Sequence, residues 1–117
     1  MTQEEKSILL QDLCSRLPYG ICVHIRYKEG EPCYGKLTPR DIQWFIDSNI
    51  EVIKPCLRTM LSMTEEEKQE YIDLLTITDT SVQDIYIKVF DWYHIHHFDY
   101  RGLIEKGLAL EALEGMY

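Results

Sequence analysis

The seven residues I21-C-V-H-I-R-Y27 decide the fold class of this chain. Every second side chain in this stretch is apolar, and the intervening residues are Cys22, His24 and Arg26. A period of two is typical of a β-strand with one buried face. The turn residues E29-G-E-P32 follow, and residues 33–37 are suited to a return strand. The sequence therefore predicts an antiparallel β-hairpin.

Helix start signals stand on both sides of this hairpin. The segments T2-Q-E-E5 and T64-E-E-E67 have the capping-box pattern, in which glutamate follows threonine after three residues. In T38-P-R-D41, threonine can cap a helix and proline suits the first helical position. A fourth start, S81-V-Q-D84, opens a stretch whose apolar side chains recur at helical spacing. We therefore expect about four helices.

The remaining segments complete a small α+β domain. Residues 51–54 predict a third strand, which Pro55 limits to an edge or an end of the sheet because proline cannot donate to the ladder. Asn49 is suited to end the second helix. The fourth helix is apolar nearly all round, which is typical of a helix at the centre of a core. We expect one domain over residues 1–117.

The charge and composition limit the classes of function. The net charge of −8 lies entirely in residues 61–117, which hold twelve acidic and four basic side chains. Nucleic-acid binders need a basic surface, so direct nucleic-acid binding is not expected. The first ten residues lack the pattern of an export signal, and no apolar run could span a membrane. We therefore expect a cytoplasmic protein without membrane contact.

The stretch D91-W-Y-H-I-H-H97 supports two interpretations. On one continuous helix, Asp91, His94 and His97 would form a line at steps of three residues, and these side chain types ligate metal ions. Three ligands in a line fall short of a complete site, and the helical zinc pattern H-E-x-x-H is absent. The second interpretation, which we favour, is that the histidines pack and cap the helix end. No cofactor is expected.

The following turn, D99-Y-R-G102, also has two interpretations. Tyr100 and Arg101 are residue types that are enriched at the centres of protein interfaces, and with Asp99 they could anchor a partner. Alternatively, Arg101 pairs within the chain, for example with Asp99 or Glu105, and attaches the C-terminal segment to the body. We favour the internal pairing.

Two long segments carry a resemblance to known sequences. They are K54-P-C-L-R-T-M-L-S-M-T-E-E-E67 and H97-F-D-Y-R-G-L-I-E-K-G-L-A-L-E-A112, and L17-P-Y-G20 also fits. The chain resembles a family of short uncharacterised proteins from anaerobic gut bacteria and their phages or mobile elements. The resemblance covers most of the chain and implies an accessory protein inside a bacterial cell. It implies no activity, cofactor or catalytic residue.

These observations favour a small interaction protein that binds another protein and has no catalytic activity. A narrower hypothesis is an acidic inhibitor that mimics nucleic acid through Glu65, Glu66, Glu67 and Glu70. The alternative class is a small metal-binding protein or metal-dependent enzyme that uses Asp91, His94 and His97. A weaker hypothesis is a homodimer in which the apolar tail, residues 103–113, completes the core of a second copy.

Overall fold

The computed structural model describes residues 1–77 and 81–117, and within them the chain forms four α-helices and four β-strands. The sequence prediction of a small α+β domain is confirmed. The sequence D79-T-S81 also predicts a break between the third and fourth helices, but Asp79 and Thr80 lie outside the described residues. In chain order the elements are α1 (Gln3–Arg16), β1 (Cys22–Tyr27), β2 (Cys33–Lys36), α2 (Pro39–Ile46), β3 (Ile50–Leu57), α3 (Glu65–Leu75), α4 (Val82–Ile95) and β4 (Leu110–Glu111).

The four strands form one sheet in the order β2-β1-β3-β4. The hairpin pairs β1 with β2, and β1 also pairs antiparallel with β3, with Val23 opposite Pro55. The two-residue strand β4 adds parallel to β3, beginning at Cys56. The prediction that Pro55 confines this strand to an edge or an end is wrong, since β3 lies inside the sheet. Proline is tolerated there because β4 pairs only with the two residues after it.

The helix starts follow the local signals in the sequence. Thr2, Thr38 and Thr64 each accept a hydrogen bond from the backbone of the third helical residue, and that residue's carboxylate accepts one in return. The end of α2 differs from the prediction. The helix ends at Ile46, and Ser48, with φ 62°, takes the left-handed conformation that was expected for Asn49.

Two apolar clusters form the core. The larger one lies between the sheet, α1, α2 and the C-terminal segment, and it includes Leu103, Leu108 and Ala109. Residues of the C-terminal tail thus pack into the core of their own domain. The smaller cluster joins α3 to α4 around Val89, Trp92, Tyr93 and Phe98.

The prediction that α4 is central to the core is wrong. Only one side of α4 is buried, and Val82, Tyr86, Ile87 and Ile95 are exposed. The neighbouring helix α3 likewise exposes Ile72 and Leu75. Apolar periodicity alone did not distinguish packed from exposed side chains here. Among the described residues, no helix is long and apolar enough to cross a membrane.

Candidate functional site

The histidine-rich stretch does not continue as one helix. The helix α4 ends at Ile95, and His97 has φ 62°. The amides of His97 and Phe98 donate to the carbonyls of His94 and Tyr93, which is the Schellman arrangement that ends helices. The predicted line of Asp91, His94 and His97 therefore does not form. Residues 1–77 and 81–117 contain no group of three or more side chains suited to hold a metal ion.

Each histidine has its own surroundings. His94 is buried, and its Nε2 shares a hydrogen bond of 2.7 Å with the Tyr100 hydroxyl. Burial and the nearby Arg16 lower the pKa of His94, and burial raises the pKa of Tyr100. The ring of His97 stacks on Tyr117 with centroids 3.8 Å apart. These contacts agree with the packing interpretation of the histidines.

The turn at residues 99–102 attaches the C-terminal segment to the body. The Asp99 carboxylate accepts hydrogen bonds from the amides of Leu103 and Ile104 at 2.8 and 3.0 Å. Arg101 pairs within the chain, but its partner is Asp12 at 3.2 Å, where Asp99 or Glu105 was expected. The pairing itself agrees with the favoured interpretation of this turn.

The partner of Arg101 belongs to a buried charge cluster that sequence reasoning missed. Asp12 and Arg16 of α1 form an ion pair of 2.8 Å, and neither side chain is exposed. Arg16 also donates to the Phe98 carbonyl at 2.7 Å. The spacing of four residues along a helix was the available signal, since such pairs are neighbours on one helix face. Residues that follow α4 contact both side chains, Arg101 on Asp12 and the Phe98 carbonyl on Arg16.

An aromatic groove runs between α3 and α4. We use this name for the concave surface formed by Tyr71, Leu75, Tyr86, Phe90, Tyr93 and Tyr100, whose cavity measures about 260 Å³. The rings form its floor through close contacts, with Tyr93 and Tyr100 stacked at 4.9 Å and Phe90 5.3 Å from Tyr100. The hydroxyls of Tyr71 and Tyr93 share a hydrogen bond of 2.7 Å. Burial raises the pKa of Tyr93, so this hydroxyl stays neutral.

The groove continues into a second, more polar cavity. Phe90 and Tyr100 line both cavities. The second cavity has a volume of about 600 Å³, and its lining also includes Ser15, His94 and Arg101. Two residues of the predicted partner site, Tyr100 and Arg101, therefore lie at one end of a continuous concave surface. The third, Asp99, is engaged with backbone amides of its own turn.

The four glutamates proposed as an acidic binding surface are not equivalent. Arg58 binds both carboxylate oxygens of Glu67 at 2.7 and 2.8 Å, and this contact holds the pKa of Glu67 at about 2. Glu70 accepts a hydrogen bond from the Trp92 indole at 3.0 Å. Glu65 and Glu66 lie in the first turn of α3 and are exposed. The α3 surface is thus acidic mainly at its N-terminal end.

Together these residues form a rigid aromatic floor with exposed apolar walls and polar groups at one end. Such a surface can bind an apolar side chain by excluding water and orient it through hydrogen bonds. No protein family model, curated protein or solved structure matches this chain.

Proposed function

We propose that this protein is a small protein-binding domain without catalytic activity of its own, acting in the cytoplasm as an accessory protein. One observation carries the proposal, the exposure of large apolar side chains around the aromatic groove. Leu75, Tyr86 and Phe90 are 50%, 60% and 41% exposed although they border the same concavity. Contiguous exposed apolar surface on a folded domain is characteristic of interaction sites.

The composition of the groove supports a protein partner. Tyrosine and other aromatic residues are enriched where interfaces derive most of their binding energy. Here they are held in fixed positions by ring contacts, so little side-chain entropy is lost on binding. A groove between two helices suits the apolar face of an amphipathic helix, which is a common mode of peptide recognition.

The charge supports one kind of partner segment. Residues 61–117, which include α3 and α4, hold the whole net charge of −8. Glu65 and Glu66 are exposed at the start of α3, the helix that contributes Tyr71 and Leu75 to the groove. We therefore propose that the occupant is a segment of another protein with an apolar or aromatic anchor and flanking lysine or arginine residues.

The other hypotheses have less support. The mimicry of nucleic acid requires a free array of carboxylates, whereas Arg58 neutralises Glu67 and Glu70 is used by Trp92. The metal hypothesis requires Asp91, His94 and His97 to converge, and His94 is engaged with Tyr100. A homodimer through the tail requires free apolar residues, and Leu103 and Leu108 fill their own core.

Selection from a random-peptide display library tests the proposal. We expect enriched peptides to combine aromatic or aliphatic residues with neighbouring lysine or arginine. A synthetic enriched peptide should bind the Phe90→Ser variant about thirtyfold more weakly, because loss of an interface anchor costs about 2 kcal/mol. Added salt should weaken binding to the unaltered protein as well.

The matched control is Tyr34→Ser, which removes an exposed aromatic side chain from β2, outside the groove. Its affinity for the peptide should equal that of the unaltered protein. Failure to enrich any shared pattern, or equal binding by the Phe90→Ser variant, would contradict the proposal. A dimer detected by light scattering that dissociates in Phe90→Ser would instead assign this surface to a second copy of the chain.

A further inference from the structure

A separate cavity lies at the end of α4, away from the aromatic groove. It has a volume of about 490 Å³, and its polar lining comprises Lys36, Arg58, His96, His97, Tyr117 and Tyr19. This volume lies within the usual range for small-molecule sites. None of the described residues that line the cavity is acidic.

His97 is the most unusual residue of this cavity. It occupies the position after the helix end at which glycine is the common residue, with φ 62°. The side chain is 8% exposed, and its Nδ1 has no hydrogen-bond partner among the described residues. Left-handed backbone at a residue other than glycine, combined with an unpaired buried polar atom, is a feature of ligand sites.

Two basic side chains border the same space. Lys36 is exposed, and its side chain forms no hydrogen bond or ion pair with the described residues. Arg58 uses three of its five N–H groups, two on Glu67 and one on the Ser62 carbonyl. Arg16 and Arg58 both act to lower the pKa of His97, which agrees with a positive potential at this ring.

The C-terminal end of α4 does not offset the positive potential at the His97 ring. A helix C-terminus carries a partial negative charge on its last carbonyl groups. Here the Tyr93 and His94 carbonyls accept the amides of Phe98 and His97, and the Trp92 carbonyl accepts the amide of His96. These three carbonyl groups are therefore engaged within the helix end, and the carboxylates of Glu67 and Glu70 contact the His96 ring at 3.2 and 3.7 Å.

We propose that this cavity binds the phosphate group of a small molecule, through the Lys36 ammonium and the remaining N–H groups of Arg58. Glu67 balances the Arg58 charge, so the site offers the free Lys36 charge and the remaining Arg58 N–H groups, from which the three oxygen atoms of a phosphate can accept together. The His97 imidazole lines the same cavity and stacks on Tyr117. The aromatic ring of Tyr117 and the Met116 side chain offer apolar contact to the rest of the ligand.

Nuclear magnetic resonance of the full chain, with labelled histidine and tyrosine rings, tests this inference. The probes are inorganic phosphate, phenyl phosphate and acetate, each matched with chloride for ionic strength. We expect saturable shifts at His96, His97 and Tyr117 with both phosphates and weaker effects with acetate. Tighter binding of phenyl phosphate than of inorganic phosphate would identify a phosphate ester as the ligand class. The reverse order would identify free phosphate.

The variant Lys36→Gln should weaken phosphate binding about tenfold, which corresponds to loss of one charge-assisted hydrogen bond. The control Lys54→Gln removes a lysine of β3 that does not line the cavity, and it should leave the affinity unchanged. Shifts that do not saturate, acetate binding as strong as phosphate binding, or equal weakening by Lys36→Gln and Lys54→Gln would overturn the inference.

Discussion

The hydroxyl of Tyr117 donates a hydrogen bond of 2.6 Å to the backbone carbonyl of Cys56. The same hydroxyl accepts a hydrogen bond of 3.0 Å from the amide of Cys22. The antiparallel pairing of β1 and β3 has Val23 opposite Pro55 as its last pair on this side. The tyrosine therefore bridges the two strands where their direct pairing stops, and it holds the C-terminal segment against the sheet.

The substitution Tyr117→Phe tests this bridge. It leaves the Cys22 amide and the Cys56 carbonyl without their partner, so we expect the free energy of unfolding to fall by about 1–3 kcal/mol. Urea denaturation measures the change. Hydrogen exchange should also accelerate at the Cys22 amide. Unaltered stability together with unaltered exchange at Cys22 would show that the hydroxyl is dispensable.

The buried pair of Asp12 and Arg16 predicts strong coupling. Asp12→Ala leaves a fully buried guanidinium without its counter-charge, and we expect it to cost about 3–5 kcal/mol. The double variant Asp12→Leu, Arg16→Met removes both charges and should be more stable than the single variant. Urea denaturation of the double variant, of Asp12→Leu alone and of Arg16→Met alone gives the coupling energy. Strictly additive losses would mean that the two side chains do not interact energetically.

The Arg58–Glu67 pair predicts one part of the acid denaturation profile. Arg58 holds the pKa of Glu67 at about 2, below its ordinary value of 4.5. The unfolded chain then binds more protons between these values, so stability falls as the pH drops from 4.5 to 2. Glu67→Gln should flatten this part of the profile in urea unfolding at a series of pH values. The control Glu65→Gln, at an exposed position, should keep the pH dependence of stability. Loss of this dependence in both variants would contradict its assignment to Glu67.

The lowered pKa of His97 predicts a second change of stability with pH, at higher pH than that of Glu67. Burial, together with Arg16, His96 and Arg58, lowers the pKa of His97 from 6.5 to about 4. The neutral ring is therefore favoured in the folded protein, and stability falls as the pH drops from 6.5 to 4. Asparagine tolerates the left-handed conformation, so His97→Asn should reduce this slope without breaking the turn. A His97 ring that titrates near 6.5 by magnetic resonance would contradict the prediction.

Much of the fold was predictable because its signals are local. The alternation in residues 21–27 predicted β1, and the threonine–glutamate pairs at residues 2–5 and 64–67 marked two helix starts. Each signal depends on atoms within four residues of one another, so no knowledge of distant contacts was needed. The misplaced end of α2, with Ser48 in place of Asn49, directly precedes β3, which pairs with the distant strand β1.

The candidate site was only partly predictable. Tyr100 and Arg101 stood out by residue type, and both lie on the concave surface. The aromatic groove itself escaped sequence reasoning because Leu75 and Phe90 fit the apolar pattern of packed helix faces. The cavity beside His97 likewise joins residues from β2, α4 and the C-terminus, which no spacing along the chain relates.

The sequence by itself determined the α+β class, the hairpin and the helix starts, because hydrogen bonds and side-chain periodicity over a few residues specify them. Only the tertiary structure decided which apolar faces are buried, which partner Arg101 takes and where β4 pairs. These outcomes depend on contacts such as Arg101 with Asp12, 89 residues apart, and on competition among several apolar surfaces for one small core.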